Sequence, residues 1–260
     1  MIKYFCSSDI HSFYTEWMLA LASKGFDINN PEHKIIVCGD LFDRGDESIK
    51  CFEFMKKLVA QGRAIYVRGN HEDLLFDCCK TLHRCTGSHH VSNGTVKTVS
   101  HFLGLTEADV LCSLWGSREF NEKVQPLLDF IDVNAVDYYE LGNTVFVHGW
   151  VPTGSNVDGT YCIRDWWREG NWKQARWENG MEMYYFDITI PDKTVVCGHW
   201  HTSYGHKLLS KTCETEFGPD ACFDELILKG LVALDACTAY THKVNVVIFD
   251  EEGNLVNEVL

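Results

Sequence analysis

The chain has 260 residues, 45% of them hydrophobic, which is enough for one large α/β domain with a sizeable core. Its 23 basic and 37 acidic side chains leave a formal net charge of −14, so a nucleic-acid backbone is an unlikely partner unless bound cations reverse the field locally. No apolar run of about 18 residues could span a membrane, and with a strand-like start at Met1–Cys6 the expectation is a soluble, cytoplasmic protein.

Twelve cysteines could furnish a disulfide scaffold, but Cys6, Cys38 and Cys197 lie inside apolar strand-like runs and read as buried free thiols. Cys78, Cys79 and Cys85 cluster without a Cys-x-x-Cys pair, so a zinc-thiolate site has little support.

In chain order, Ile2–Cys6 predicts a strand that runs into Asp9-Ile10-His11. If the extended conformation continues, Asp9 and His11 fall on one side and a single metal could take both. Phe13 to Leu21 predicts a helix with Trp17 and Leu21 on one face and Gly25 as its stop. Ile35 to Cys38 then reads as a fully buried strand, and Gly39 turns the chain so that Asp40 sits at the strand's carboxyl end. Ligands of open α/β sheets bind in the crevice beyond those ends. Asp43, Arg44 and Asp46 are expected over the same crevice, although Asp46-Glu47 also serves as a start for the helix marked by Ile49, Phe52, Met55, Leu58 and Val59 and closed by Gly62. Ala64 to Arg68 is a third strand ending in Gly69-Asn70-His71-Glu72. Three successive strand, loop and helix units thus each deliver polar groups to a strand end.

From Glu72 to about Ile131 the pattern is mostly helical, and a helical cap over about residues 73–131 is expected within a single domain of residues 1–260. Val96–Leu103, Ala108–Leu114 and Phe120–Ile131 are its clearest helices, with Asn93-Gly94 as a turn. Of the histidines there, His83, His89, His90 and His101, the neighbours His89 and His90 read as an exposed loop. Val136–Leu141 and Thr144–His148 predict a hairpin around Gly142-Asn143, with His148 at a strand end. Between Gly149 and Gly180, Trp150, Trp166, Trp167, Trp172 and Trp177 alternate with Arg164, Arg168, Lys173 and Arg176. Such a segment either packs on the sheet with cations over rings or stacks on bases. Thr194 to Cys197 predicts another buried strand, followed by Gly198-His199-Trp200-His201. Leu231–Asp235, Lys243–Phe249 and Asn254–Val259 finish the chain as strands, with Glu252-Gly253 as a turn and Asp235 as a structural strand-end residue. The Phe217–Phe223 loop suggests no function.

Collected, the strand-end donors are Asp9, His11, Asp40, Asn70, His148, His199 and His201, all oxygen or imidazole. That donor set suits divalent manganese, iron or zinc, and its size exceeds what one ion takes from protein, so a centre of two divalent ions is expected.

These motifs carry a resemblance. Asp9-Ile10-His11, Gly39-Asp40-Leu41-Phe42-Asp43-Arg44-Gly45, Gly69-Asn70-His71-Glu72, His148-Gly149 and Gly198-His199-Trp200-His201 resemble, in order, the motif series of the calcineurin-like metallophosphoesterases. Asp43-Arg44-Gly45 and Glu72 are similar to the phosphoprotein (Ser/Thr) phosphatase branch of bacterial and phage type, whose relatives include the symmetrical diadenosine tetraphosphatases. Ser8, Ser12 and Trp150 stand where that branch usually carries glycine, and His201 is a donor typical of the wider superfamily.

The resemblance implies a four-layer α/β/β/α sandwich. It places Asp9, His11, Asp40 and His201 on one ion, and Asp40, Asn70, His148 and His199 on the other, with Asp40 bridging. A water activated between the ions would attack phosphorus in line. His71 would protonate the leaving oxygen, Asp43 would orient it, and Arg44 would clamp phosphate oxygens bidentately. A second phosphate-binding arginine is expected from Arg176 or Arg164. The function expected is hydrolysis of a phosphate monoester, foremost a phosphorylated protein or peptide. A symmetrical diadenosine tetraphosphatase or other phosphoesterase of nucleotides or small phosphoesters is the enzymatic alternative, and a non-catalytic phosphate- or metal-binding module is the alternative of another class. Nothing in the sequence fixes an oligomeric state.

Overall fold

The computed structural model describes residues 1–81, 89–112, 118–156 and 160–256. His83, Cys85, and the ends of the helix expected to Leu114 and of the strand expected to Val259 lie outside the described residues.

One sheet is built from β1 (Lys3–Ser7), β2 (His33–Cys38), β3 (Ala64–Val67) and β4 (Ala135–Val136). The second contains β5 (Tyr139–Leu141) and β6 (Thr144–Phe146); a separate hairpin is formed by β7 (Thr153–Ser155) and β8 (Tyr161–Ile163). The remaining strands are β9 (Thr194–Cys197), β10 (Leu226–Leu228), β11 (Leu231–Ala233) and β12 (Val247–Phe249). The first sheet runs in the order β12-β1-β2-β3-β4, parallel except for β12, and the second runs β10-β11-β9-β6-β5, with β11, β9 and β6 parallel between antiparallel edges.

Because side chains alternate along a strand, β1 and β2 are apolar on both faces. Tyr4, Cys6, Ile36, Cys38 and Val67 face Phe146, Val196, Val232 and Leu234 in one buried layer between the sheets. Phe5, Ile35, Val37 and Tyr66 point the other way, into a core shared with the helices. Those helices are α1 (Tyr14–Ser23), α2 (Ser48–Ala60), α3 (Asn70–Thr81), α4 (His89–Ser92), α5 (Thr95–Leu103), α6 (Glu107–Cys112), α7 (Arg118–Lys123) and α8 (Gln125–Asn134). The outer face of the second sheet, Val145, Val195, Cys197, Leu231 and Ala233, packs on Trp150, Trp167, Trp172, Met181 and Ile190. Helix, sheet, sheet and helix therefore stack as four layers of a mixed α/β fold.

The helices between β3 and β4 bury Val96, Val99, Phe120, Leu127 and Ile131 in the same core as Trp17 and Met55, so the segment expected as a cap forms part of the outer helical layer. Lys123 and Gln125 belong to separate helices, which breaks the single helix expected over Phe120–Ile131. His90 is buried on α4 with its Nε2 3.3 Å from Asp77, not on an exposed loop, and His101 Nδ1 lies 3.0 Å from Ser48 Oγ. Ile49 is exposed, while Cys51 and Phe54 join the buried face of α2 instead. Ten cysteines are free thiols, six of them buried. Among the described residues no helix is long and apolar enough to cross a membrane.

The tryptophan-rich segment divides. Trp150, Trp167 and Trp172 are core, with Tyr138 stacked on Trp172 at 5.0 Å and Arg168 4.3 Å above Trp167, whereas Trp166 and Trp177 are exposed. Packing on the sheet accounts for the first three only, and of these Trp167 alone has a cation over its ring.

Candidate metal centre

The parallel strands of both sheets end at a common edge. Asp9 follows β1, Asp40 follows β2, Asn70 follows β3, His148 follows β6 and His199 follows β9, each within a few residues of the strand's end. A strand leaving the core in a fixed direction aims its next side chains at that edge, so the fold gathers donors far apart in sequence.

The loops that carry them are strained. Asp9, His11, Ser12, Asp40, Asp43, Arg44 and His199 all have positive φ, between 49° and 76°. Each left-handed residue other than glycine costs on the order of 1 kcal/mol or more and persists only where its surroundings over-determine it. Here Gly39 and Asp40 carbonyls accept from Asp9 and His11 N–H, zipping the β1 loop to the β2 loop. Glu72, buried beneath, accepts from the N–H groups of Asp40, Leu41 and Gly69 at 3.0, 3.0 and 2.7 Å. Burial and the Asp40 charge push its carboxyl up to about 7, against the pull of those N–H groups. The extended geometry expected for Asp9-Ile10-His11 is thus absent: the two side chains reach the centre from a left-handed turn.

Asp40 lies at the middle. Its Oδ1 is 3.3 Å from His148 Nε2, and its Oδ2 is 3.8 Å from His11 Nε2 and 3.9 Å from His71 Nε2. Burial would raise its carboxyl, and the positive forms of His148, His71, His11 and His199 would pull it down. His11, Asp40 and His71 form one grouping with ligand atoms close enough for an ion, and Asp40, His148 and His199 form a second. Asn70 Oδ1 sits 2.7 Å from His148 Nε2 and 3.0 Å from His199 Nδ1, and Asp9 Oδ2 accepts from the His199 N–H at 3.0 Å.

The tautomers decide whether cations fit. His11 Nδ1 is 3.0 Å from the Phe42 carbonyl and His148 Nδ1 is 2.9 Å from the Cys38 carbonyl. A neutral imidazole has one N–H, and His11 and His148 each spend it on a backbone carbonyl. The other nitrogen of each therefore turns a lone pair toward oxygens of Asp40 or Asn70. Burial lowers the His11, His148 and His199 imidazoles, His199 to about 3, so extra protons do not relieve the opposed lone pairs. Divalent cations do, with nitrogen and oxygen donors and no thiolate.

Beside the donors stand Asp43, His71 and Arg44. His71 Nδ1 is 2.7 Å from Asp43 Oδ2, and Asp43 in turn accepts from Thr95 Oγ1 at 3.1 Å and Thr98 Oγ1 at 2.7 Å, both on α5. Burial works to lower His71, yet Asp40 and Asp43 prevail and raise it. Arg44 is exposed, with Nη2 3.2 Å from His71 Nε2.

A family model described as calcineurin-like phosphoesterase matches residues 2–223. The chain belongs to that family. A bis(5'-nucleosyl)-tetraphosphatase PrpE [asymmetrical] of Halalkalibacterium halodurans is 25% identical over 186 residues, 63% of this chain and 73% of that one. A protein of the same name from Anoxybacillus flavithermus is 39% identical over 74 residues, 26% of this chain and only 30% of that relative's length. Among solved structures, the cold-active protein-tyrosine phosphatase of a psychrophilic Shewanella species superposes with a TM-score of 0.53 at 14% identity, covering 97% of this chain and 76% of that one, a likeness of fold.

Within this calcineurin-like phosphoesterase, some expected site residues stand apart. His201, like Asp9, is outside both donor groupings, and its Nε2 is 2.6 Å from Glu216 Oε1. Arg176 is buried and bound to Asp73 at 2.7 Å and to Asp137, and Arg164 donates to Ser155 and Asn156 within the β7–β8 hairpin, so neither guanidinium joins Arg44. Asp46 is turned to solvent and paired with Lys97 at 2.7 Å instead of facing the crevice. Two contributors, Thr95 and Thr98, carried no local signal in the sequence. Asp235, read there as structural in preference to a distant acid, follows β11 just as Asp40 follows β2. Burial raises it to about 6, and it adds to the upward push on Asp9.

Gly198 offers a direct test of the packing between the loops, since a Cβ there would overlap Asp9 Oδ2 and Ser8 Oγ. Gly198→Ala is expected to displace Asp9 and cost about 10²-fold in kcat with the far-ultraviolet circular dichroism unchanged. Wild-type turnover in that variant would show that Asp9 need not sit where it does.

Proposed function

We propose that this calcineurin-like phosphoesterase hydrolyses a dinucleoside polyphosphate, using two divalent ions held by Asp9, His11 and Asp40 on one side and by Asp40, Asn70, His148 and His199 on the other. The observation that carries the catalytic reading is the convergence of the His11, His148 and His199 imidazoles on Asp40 and Asn70, the first two turning lone pairs inward, beside an intact Asp43, His71 and Arg44. A module that only bound phosphate would have no use for a positioned acid. The relatives named as tetraphosphatases favour a nucleotide over the phosphoprotein put first on sequence grounds, and their designation as asymmetrical favours ATP and AMP, not two ADP, as products.

Ions held there would supply Lewis-acid charge and lower the pKa of an attacking water. The protein's own groups supply the rest. Arg44, exposed at the rim, reaches non-bridging phosphate oxygens with two parallel N–H groups. His71, raised by Asp40 and Asp43 over the effect of burial, carries a proton to the leaving oxygen from Nε2 while Asp43 holds Nδ1. Thr95 and Thr98 fix Asp43 so that the pair does not turn away.

The test is a side-by-side assay of manganese-loaded protein on diadenosine tetraphosphate and on a phosphoserine/phosphothreonine peptide, with Asp40→Asn as the blank. Faster dinucleotide cleavage to ATP and AMP is expected. Two ADP would make the cut symmetrical, faster peptide dephosphorylation would return the assignment to a protein phosphatase, and rates no higher than the blank would remove the catalytic reading.

A further inference from the structure

Trp177 and Trp200 both border the metal-site imidazole of His199, with ring centroids 5.8 and 6.3 Å from it, and they remain 47% and 39% exposed. The same tryptophan-rich segment buries Trp150, Trp167 and Trp172 almost completely, so the fold has no difficulty placing indoles in its core. Leaving two of them in water beside a metal ligand forfeits burial of a large apolar surface each. The aromatic surface continues outward. Trp200 stacks on His201 at 5.8 Å, His201 meets Phe217 at 4.8 Å, and Phe217 meets Tyr240 at 5.6 Å, with Phe217 and Tyr240 half exposed. The loop holding Phe217, without a role on sequence grounds, thereby becomes the outer end of a band that starts at the centre.

We infer that Trp177 and Trp200 form a stacking site for the nucleobase of the substrate. The inference rests on the proposed nucleotide reading and specifies it. A phosphoryl group bound near His199 places its organic substituent over the adjoining surface, and what that surface offers is indole, imidazole and phenyl rings. Every base presents a π-face to such rings, whereas a phosphoserine side chain presents none. An indole has no proton to exchange with the leaving oxygen, so the site governs which phosphoester is held and not how the bond is broken.

Trp177→Ala and Trp200→Ala are to be compared with the wild type and with the phenylalanine variants, using diadenosine tetraphosphate as substrate and AMP and ribose 5-phosphate as inhibitors. Loss of one stacked base predicts a KM about 5- to 150-fold higher, with kcat within about threefold and partial recovery with phenylalanine. Inhibition by AMP weakens in the alanine variants, and inhibition by ribose 5-phosphate, which has no base, does not. An unchanged KM in both alanine variants, or AMP binding the wild type no better than ribose 5-phosphate, overturns the stacking site. An equal loss of both inhibitors also overturns it, because the rings would then only support the centre. Should the wild type fail to cleave the dinucleotide while AMP still outcompetes ribose 5-phosphate in a Trp-dependent way, the substrate assignment falls and the base site stands.

Discussion

Asp40→Asn is expected to lower turnover roughly 10³-fold or more and to leave fewer than two divalent ions per chain by elemental analysis. Asp40 is the one residue common to both donor groupings, with Oδ1 toward His148 and Oδ2 toward His11. Its carboxylate is buried, and cations held on either side of it would offset the cost of that burial. Asparagine keeps the volume but removes the charge and turns one oxygen into a donor. That NH2 group would face either the His71 N–H that Oδ1 accepts at 3.0 Å or the lone pair of His11. In neither orientation can the side chain bridge two cations. The fold should survive, because β2 is anchored by Ile35, Ile36, Val37 and Cys38, all fully buried, and an unchanged circular dichroism spectrum checks this. Retention of both ions by the variant would sink the bridging role, whatever happened to the rate.

Replacing His71 with asparagine should cost about 10²–10⁴ in kcat on an ester whose leaving alkoxide is poor, and markedly less where the leaving group is itself a phosphate. Proton donation matters in proportion to the basicity of the departing oxygen. The geometry singles out His71 because Nδ1 is committed to Asp43 at 2.7 Å, while Nε2, near Asp40 and Arg44, is the nitrogen that faces the centre. Asparagine can keep one hydrogen bond but has no proton to give at that position. A phosphoserine peptide and diadenosine tetraphosphate assayed with the same variant therefore separate proton donation from simple loss of shape. Full turnover on the peptide would show that His71 is not the acid. Equal losses on both substrates would mean that the residue positions phosphate instead.

Much of this centre is local in sequence. Asp40, Asn70, His148 and His199 each follow an apolar run within a few residues, and Asp9 does the same after β1. A buried strand announces itself by composition, and the strand's direction then fixes where the next donor goes. Asp235 obeys the same rule but reads as a structural strand-end residue, because no donor stands beside it in sequence. By contrast, Glu72 could be read as a family mark but not as the acceptor for three backbone N–H groups, since two of those groups sit on the neighbouring β2 loop.

Sequence also left the basic and aromatic residues between Gly149 and Gly180 undivided. Arg176 was a reasonable phosphate ligand until Asp73 and Asp137 were found to hold it, and Trp177 was indistinguishable from Trp172 until one was seen in the core and the other at the rim. Whether a side chain is buried depends on what packs against it, and those partners are contributed by remote segments.

The sequence by itself determined the layered α/β plan and singled out the candidate donors, because strand, turn and donor occur together within short stretches of chain. Only the tertiary structure decided which nitrogen of His11 and of His148 faces the centre. That choice depends on the carbonyl each ring meets, and His148 finds its own on Cys38, 110 residues away, while Asp9 meets the His199 backbone across 190. It also decided that His201 turns to Glu216 and that Asp43 is steadied from α5. A hydrogen bond is satisfied by whichever group the packed layers bring within about 3 Å, and no local pattern encodes that neighbour.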